Sequence, residues 1–222
     1  MRVLYKSLLI IQKTSPGRLH CPQKPAMWYN LGMVIKNAHC LVTDSGDALA
    51  TEESLREYLR LVEKARQEHG LKLPAYALLP GRALLYFVTA EADLHSVMGG
   101  FAKGANLPGY KTGNCKYKII QPENYAAHLA RYIHFEAVKE GLAEKPEAYE
   151  WSSAAQYLGA AGNAEKGIVL GTFSADAAEA VSLYSAFMAE TVPGKFRRPF
   201  GKNRDAVLGD KAFLAAHNPH AS

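Results

Sequence analysis

Cysteine is scarce in this chain: three in 222 residues, at positions 21, 40 and 115. They are odd in number, widely spaced and never in a CxxC pair, which excludes a disulfide scaffold. Each reads as a small hydrophobe with a reduced thiol, the usage of a cytoplasmic protein. No run approaches the ~20 apolar residues of a membrane span. Ser7–Ile11 falls short of the ~7–15 residue core of a signal peptide. There is no internal repeat and no low-complexity tract. Acidic residues are absent from positions 1–43, where six basic ones stand: Arg2, Lys6, Lys13, Arg18, Lys24 and Lys36. The remainder holds 20 basic and all 21 acidic residues, so the net charge of +5 belongs to the N-terminal segment and the body is close to neutral. A basic balance points to nucleic acid or an anionic surface, and here it points there only locally.

What is present is an ordinary globular composition, 48% hydrophobic and 21% charged, which excludes disorder over the whole chain and a collagen-like fibre. Residues 1–36 read as a basic N-terminal extension broken by Pro16, Pro22 and Pro25, with Met33 as an alternative start. His39–Thr43 reads as a short strand. Thr51 opens a helix carried by Leu55, Tyr58, Leu59, Val62 and Ala65, and Gly70 stands where it stops. Ala75–Leu79 and Ala83–Thr89 form a hairpin about Pro80-Gly81-Arg82. A second helix follows Asp93, a loop with four glycines or prolines spans 104–114, and Tyr117–Ile120 makes a fourth strand. The order βαββαβ predicts an α+β domain of ferredoxin-like type: one antiparallel sheet, both helices on one face. A third helix is expected over 123–141. A helix-like stretch follows from Trp151, then a helix over 176–190 and a short one over 206–216. The domains expected are the extension 1–36, a ferredoxin-like domain 37–142 and an α-helical C-terminal extension 143–222.

Particular words lie along this order. Tyr132-Ile133-His134-Phe135-Glu136-Ala137-Val138-Lys139-Glu140-Gly141-Leu142 leads into Pro146, Trp151-Ser152-Ser153, Tyr157 and Leu158-Gly159. Tyr76-Ala77-Leu78-Leu79-Pro80-Gly81-Arg82-Ala83-Leu84-Leu85 is a second word, and Ala206-Val207-Leu208-Gly209-Asp210-Lys211-Ala212-Phe213 a third. Together they resemble the REP-associated tyrosine transposases, the single-tyrosine branch of the HUH transposase superfamily, over residues 37–216. The resemblance implies a partner, single-stranded or hairpin DNA. It also implies a chemistry: two histidines at i, i+2 hold a divalent metal, and a tyrosine attacks a DNA phosphate to form a 5′-phosphotyrosine.

Tyr132 stands at the position of the nucleophile. The histidine positions fall on Arg82 and Leu84. A guanidinium only donates hydrogen bonds, and leucine has no ligand atom. The Asn of the family's tyrosine helix is Glu136 here. His128, Tyr132 and Glu136 share a helix face, so a rebuilt site from His128 and Glu136 is the one route to a metal; His134 points elsewhere, and His39 lies on the first strand. No metal ligand set is therefore assigned. Arg82 admits another role, a fixed cation holding a phosphate without metal.

Two basic clusters carry aromatics. One holds Lys103, Tyr110, Lys111, Lys116, Tyr117 and Lys118; the other holds Lys195, Arg197, Arg198, Lys202 and Arg204 with two phenylalanines. Lysine and arginine neutralise phosphates, and aromatics stack on unpaired bases. Against them stands Glu136–Glu150, with five Glu and two Lys. The expectation is a transposase-family DNA-binding protein acting on single-stranded or hairpin DNA, its tyrosine-dependent cleavage lost or impaired, with no membrane partner. The alternative is an active transposase using Tyr132 with Mg or Mn in a non-standard site.

Overall fold

The structure is a computed structural model that describes residues 38–89, 97, 115–190, 200 and 206–217. The extension 1–36, the loop 104–114 and the helix expected after Asp93 lie outside the described residues, apart from Val97, which is helical and buried.

Strand β1 (His39–Ser45) is followed by α1 (Glu52–His69), β2 (Lys72–Leu79), β3 (Arg82–Val88), β4 (Lys116–Ile120) and α2 (Pro122–Lys139). Thr51 caps α1 as expected, accepting from the Ser54 amide while the Ser54 hydroxyl accepts from the Thr51 amide. Gly70 ends it at φ 64°, a left-handed conformation that costs a side-chain-bearing residue about 1 kcal/mol or more. The hairpin turn between β2 and β3 is Pro80-Gly81. Proline presets the first central position of a type II turn, and Gly81 takes the positive φ (77°) that the second demands.

The sheet order is β2-β3-β1-β4-β5, and its first four strands run antiparallel to their neighbours. This is the ferredoxin-like order, in an α+β fold. The fifth strand, β5 (Val207–Leu208), corrects the reading of 206–216 as one helix. It pairs in parallel with Ile119 and Ile120 of β4, and the helix begins only at α6 (Lys211–His217). Two residues are too few to show a strand period, and the bonds that make them a strand come from β4: the Ile119 and Gln121 amides donate to the carbonyls of Ala206 and Leu208.

Cross-strand pairs share a face of the sheet. Leu84 and Lys116 both pair with Thr43, and Tyr86 and Lys118 both pair with Leu41. Leu41, Leu84 and Tyr86 are buried with Leu129, Ile133 and Ala137 of α2, so α2 covers this face. Successive side chains alternate, so Val42, Asp44, Leu85 and Tyr117 lie on the other face, where the Tyr58 hydroxyl of α1 donates to Asp44 at 2.9 Å. The sheet thus has α1 on one face and α2 on the other.

The chain after α2 runs along the outer edge of β2. It contains α3 (Ala154–Tyr157), α4 (Gly167–Leu170) and α5 (Ala177–Ala189). The stretch from Trp151 is not a helix at its start. The Leu78 amide donates to the Trp151 carbonyl at 2.8 Å and the Ser153 amide to the Tyr76 carbonyl at 3.0 Å, a strand-like pairing that helical sequence rules do not foresee. Among the described residues no helix is long and apolar enough to cross a membrane.

Candidate nucleic-acid interface

Helix α2 carries Tyr132, and its N-terminus is preset by Pro122 at the first turn. Ala126, Leu129, Ala130, Ile133 and Ala137 form the stripe that it presses on the sheet. Tyr132 lies beside that stripe, half-buried, its ring 5.3 Å from the ring of Phe200. Burial pushes its hydroxyl pKa up to about 12. The nearby Glu136 adds to the rise, and Arg82 opposes it. A phenol so placed is less able to become a phenolate than one in water.

Arg82 and Leu84 occupy the face beneath α2, as their i, i+2 spacing on a strand requires. Leu84 is in the core. Arg82 reaches α2 and donates from Nη2 to Glu136 Oε2 at 2.6 Å and to Glu140. The second oxygen of Glu136 accepts from Lys139 Nζ at 2.8 Å. Glu136 is only 2% exposed, and two cations, each with a hydrogen bond, offset the cost of burying it. The four charges, Arg82, Lys139, Glu136 and Glu140, sum to zero.

This arrangement does not fit a divalent metal. A cation occupies one histidine position and a hydrocarbon the other, and both oxygens of the one carboxylate are already engaged. The rebuilt alternative fails on distance. His128 and Glu136 are eight residues apart, about 12 Å along a helix axis, whereas ligands of one ion sit within about 4 Å of each other. The His128 ring packs edge-on against Phe187 at 5.2 Å, and burial, followed by Arg131, lowers its pKa. His39 lies six residues along β1 from the partner of Arg82, about 20 Å away, and its Nδ1 is 2.6 Å from the Tyr86 hydroxyl. Among the described residues no group of three histidine, cysteine, aspartate or glutamate side chains is placed to hold a metal.

Of the first basic cluster, Lys116 and Lys118 lie on the α2 face, the side that carries Arg82 and Tyr132. Lys116 is exposed and Lys118 half-buried. Tyr117 points to the opposite face, so strand alternation separates the aromatic from the two lysines that flank it. Lys103, Tyr110 and Lys111 lie outside the described residues, as do Lys195, Arg197, Arg198, Lys202 and Arg204 of the second cluster. Phe200, its one described member, is buried against Tyr125 and Tyr132. It serves the packing of the tyrosine rather than the stacking of a base.

Sequence reasoning missed His134. The side chain is fully buried, with Nδ1 2.8 Å from the Tyr184 hydroxyl and Nε2 2.9 Å from Ser153 Oγ. Burial lowers its pKa to about 3, so it is a neutral joint between α2, α5 and the segment beside β2. The signal for it was present as a pair: a histidine inside an apolar helix run and a Trp-Ser-Ser word to receive it.

The sheet order and the helix on its Arg82 face define an α+β, ferredoxin-like protein with a tyrosine-bearing helix after the fourth strand. No protein-family profile matches the chain, and no curated protein matches it. Among solved structures it is similar to one described as "Structure of the REP associates tyrosine transposase bound to a REP hairpin". The TM-score is 0.48 and the identity 14%, over 57% of this chain and 82% of that one. A similarity at that level leaves the function to be argued from the residues themselves.

Proposed function

We propose that this protein binds single-stranded or hairpin DNA and that it has lost tyrosine-dependent strand cleavage. The observation that carries the reading is the composition of one sheet face. Beneath the tyrosine helix stand Lys116 and Lys118, suited to phosphate, and beside them Arg82, whose guanidinium Glu136 and Glu140 hold. Where metal ligands would be needed stand a leucine and a neutralised ion-pair cluster. The sequence words along residues 37–216 supply the ligand class. The loss of cleavage follows from donor chemistry and from Tyr132 itself, whose raised pKa runs against activation as a nucleophile. Lys103, Tyr110, Lys111, Tyr117, Lys195, Arg197, Arg198, Lys202 and Arg204 are proposed as further DNA contacts on composition alone.

The test uses labelled hairpin single strands with Mg²⁺, Mn²⁺ or chelator. Binding of equal strength in all three, with no covalent adduct on denaturing gels, is the expected result. An adduct abolished by Tyr132→Phe overturns the loss of cleavage in favour of the enzyme reading. Failure to bind any single strand overturns both.

A further inference from the structure

Arg82 carries five guanidinium protons, and its hydrogen bonds to Glu136 Oε2 and Glu140 Oε1 both leave from Nη2. A planar guanidinium has two edges that hold an oxyanion by parallel N–H bonds, Nη1 with Nη2 and Nε with Nη2. Both edges run through Nη2. With each Nη2 proton held by a carboxylate, Arg82 cannot grip a phosphate bidentately until one of the two leaves. The two are not equally replaceable. Glu136 is 2% exposed and is held again by Lys139 at 2.8 Å. Glu140 is 38% exposed, follows the last residue of α2, and among the described residues its carboxylate is held by Arg82 alone.

Resting on the DNA-binding reading above, we propose that Arg82 is a phosphate anchor masked by Glu140. A backbone phosphate displaces the Glu140 carboxylate and takes the edge it vacates, while Glu136 keeps the other Nη2 proton and holds the guanidinium in place. Release of Glu140 leaves Arg82 and Lys139 facing one carboxylate, a local net charge of +1 where the closed cluster has none. Glu140 therefore acts as an internal competitor, and DNA binding at this face is weaker than its basic residues alone would make it. Ligands that present no dianionic or monoanionic oxygen pair do not open the mask.

The experiment measures affinity of the full chain for a labelled DNA hairpin against salt, for four proteins: the parent, Glu140→Gln, Arg82→Lys and the double variant. Lysine keeps a cation for Glu136 but has no two-pronged edge, and thermal melts confirm that each variant folds. Glu140→Gln is expected to bind about three- to tenfold tighter, the span of a partly screened charge-assisted hydrogen bond. Its log–log salt slope should stay close to the parent's, because both complexes hold the same phosphates. In the Arg82→Lys background the gain should vanish. A gain of the same size in that background means that Glu140 merely repels DNA at a distance, and it overturns the mask. Unchanged binding in Glu140→Gln overturns it too, while the parent's binding keeps the DNA reading intact. Absence of binding by every protein removes the DNA reading and the mask with it.

Discussion

At the scale of single residues the buried polar groups decide stability. His134 has a folded pKa of about 3 against an ordinary 6.5. Between those values the unfolded chain holds a proton that the folded chain refuses, so stability is complete above pH 6.5 and falls as pH drops below it. The slope for this one group reaches about 1.4 kcal/mol per pH unit. His39 and His128, whose pKa values burial also lowers, act in the same direction. Urea midpoints measured from pH 7 to 5 should therefore fall, and less steeply in His134→Gln, which keeps a hydrogen-bonding head without a titrating ring. Equal slopes would show that His134 is not the group being titrated. Glu136 is a second such residue, and it depends on the half-buried Arg82. Arg82→Met leaves the buried Glu136 with Lys139 alone and should cost about 3 kcal/mol in denaturant unfolding, the usual loss when one member of a buried pair is removed. Glu140→Gln, at the exposed end of the same cluster, should cost under about 1 kcal/mol. Similar costs for the two would mean that the cluster is not graded by burial.

At the scale of elements, what the sequence made legible was whatever is encoded locally. The helix start at Thr51, the glycine stop at Gly70 and the Pro-Gly hairpin each depend on neighbours a few residues away, and each stands where its chemistry placed it. The spacing of Arg82 and Leu84 put both on one face, and the face of α2 brought Tyr132 and Glu136 toward it. The bond from Arg82 to Glu136 spans 54 residues, and no local pattern announces such a partnership. The Trp151–Ser153 segment and β5 were misread for the same reason: their backbone bonds belong to strands far away in sequence. That segment also has a function in the fold. β2 is an edge strand, and an open edge invites pairing with another chain. Along it, the Tyr76 amide donates to Ser153 Oγ at 2.9 Å, the Tyr149 hydroxyl to the Leu78 carbonyl at 2.7 Å, and the Leu73 amide to Glu165 at 2.6 Å. Ser153→Ala removes the partner of the Tyr76 amide and of His134 Nε2 together, and should cost about 2–3 kcal/mol, where Tyr149→Phe should cost about 1 kcal/mol. Light scattering at raised temperature should show Ser153→Ala associating before the parent does. Monomeric unfolding of both at one temperature would mean that the edge is protected by something else.

At the scale of the whole molecule the charge is divided between a basic N-terminal segment and a neutral body. Removal of residues 1–32 takes away five basic residues and no acidic one, so the net charge goes from +5 to zero. A neutral body can still bind DNA if its charges are sorted, and the strand register sorts them: Arg82, Lys116 and Lys118 lie on one face. Contacts fixed by a sheet hold a strand in one register, whereas charges on an extension add attraction that is indifferent to sequence and shape. These two contributions separate under salt. A chain starting at Met33 should bind every single strand more weakly at low salt and show a shallower log–log salt slope. The ratio of its affinities for a hairpin and for an unstructured strand of equal length should match that of the parent. A changed ratio would place recognition in the extension rather than on the sheet. An unchanged slope would show that the five N-terminal cations never meet phosphate, and would leave the face beneath α2 to account for binding alone.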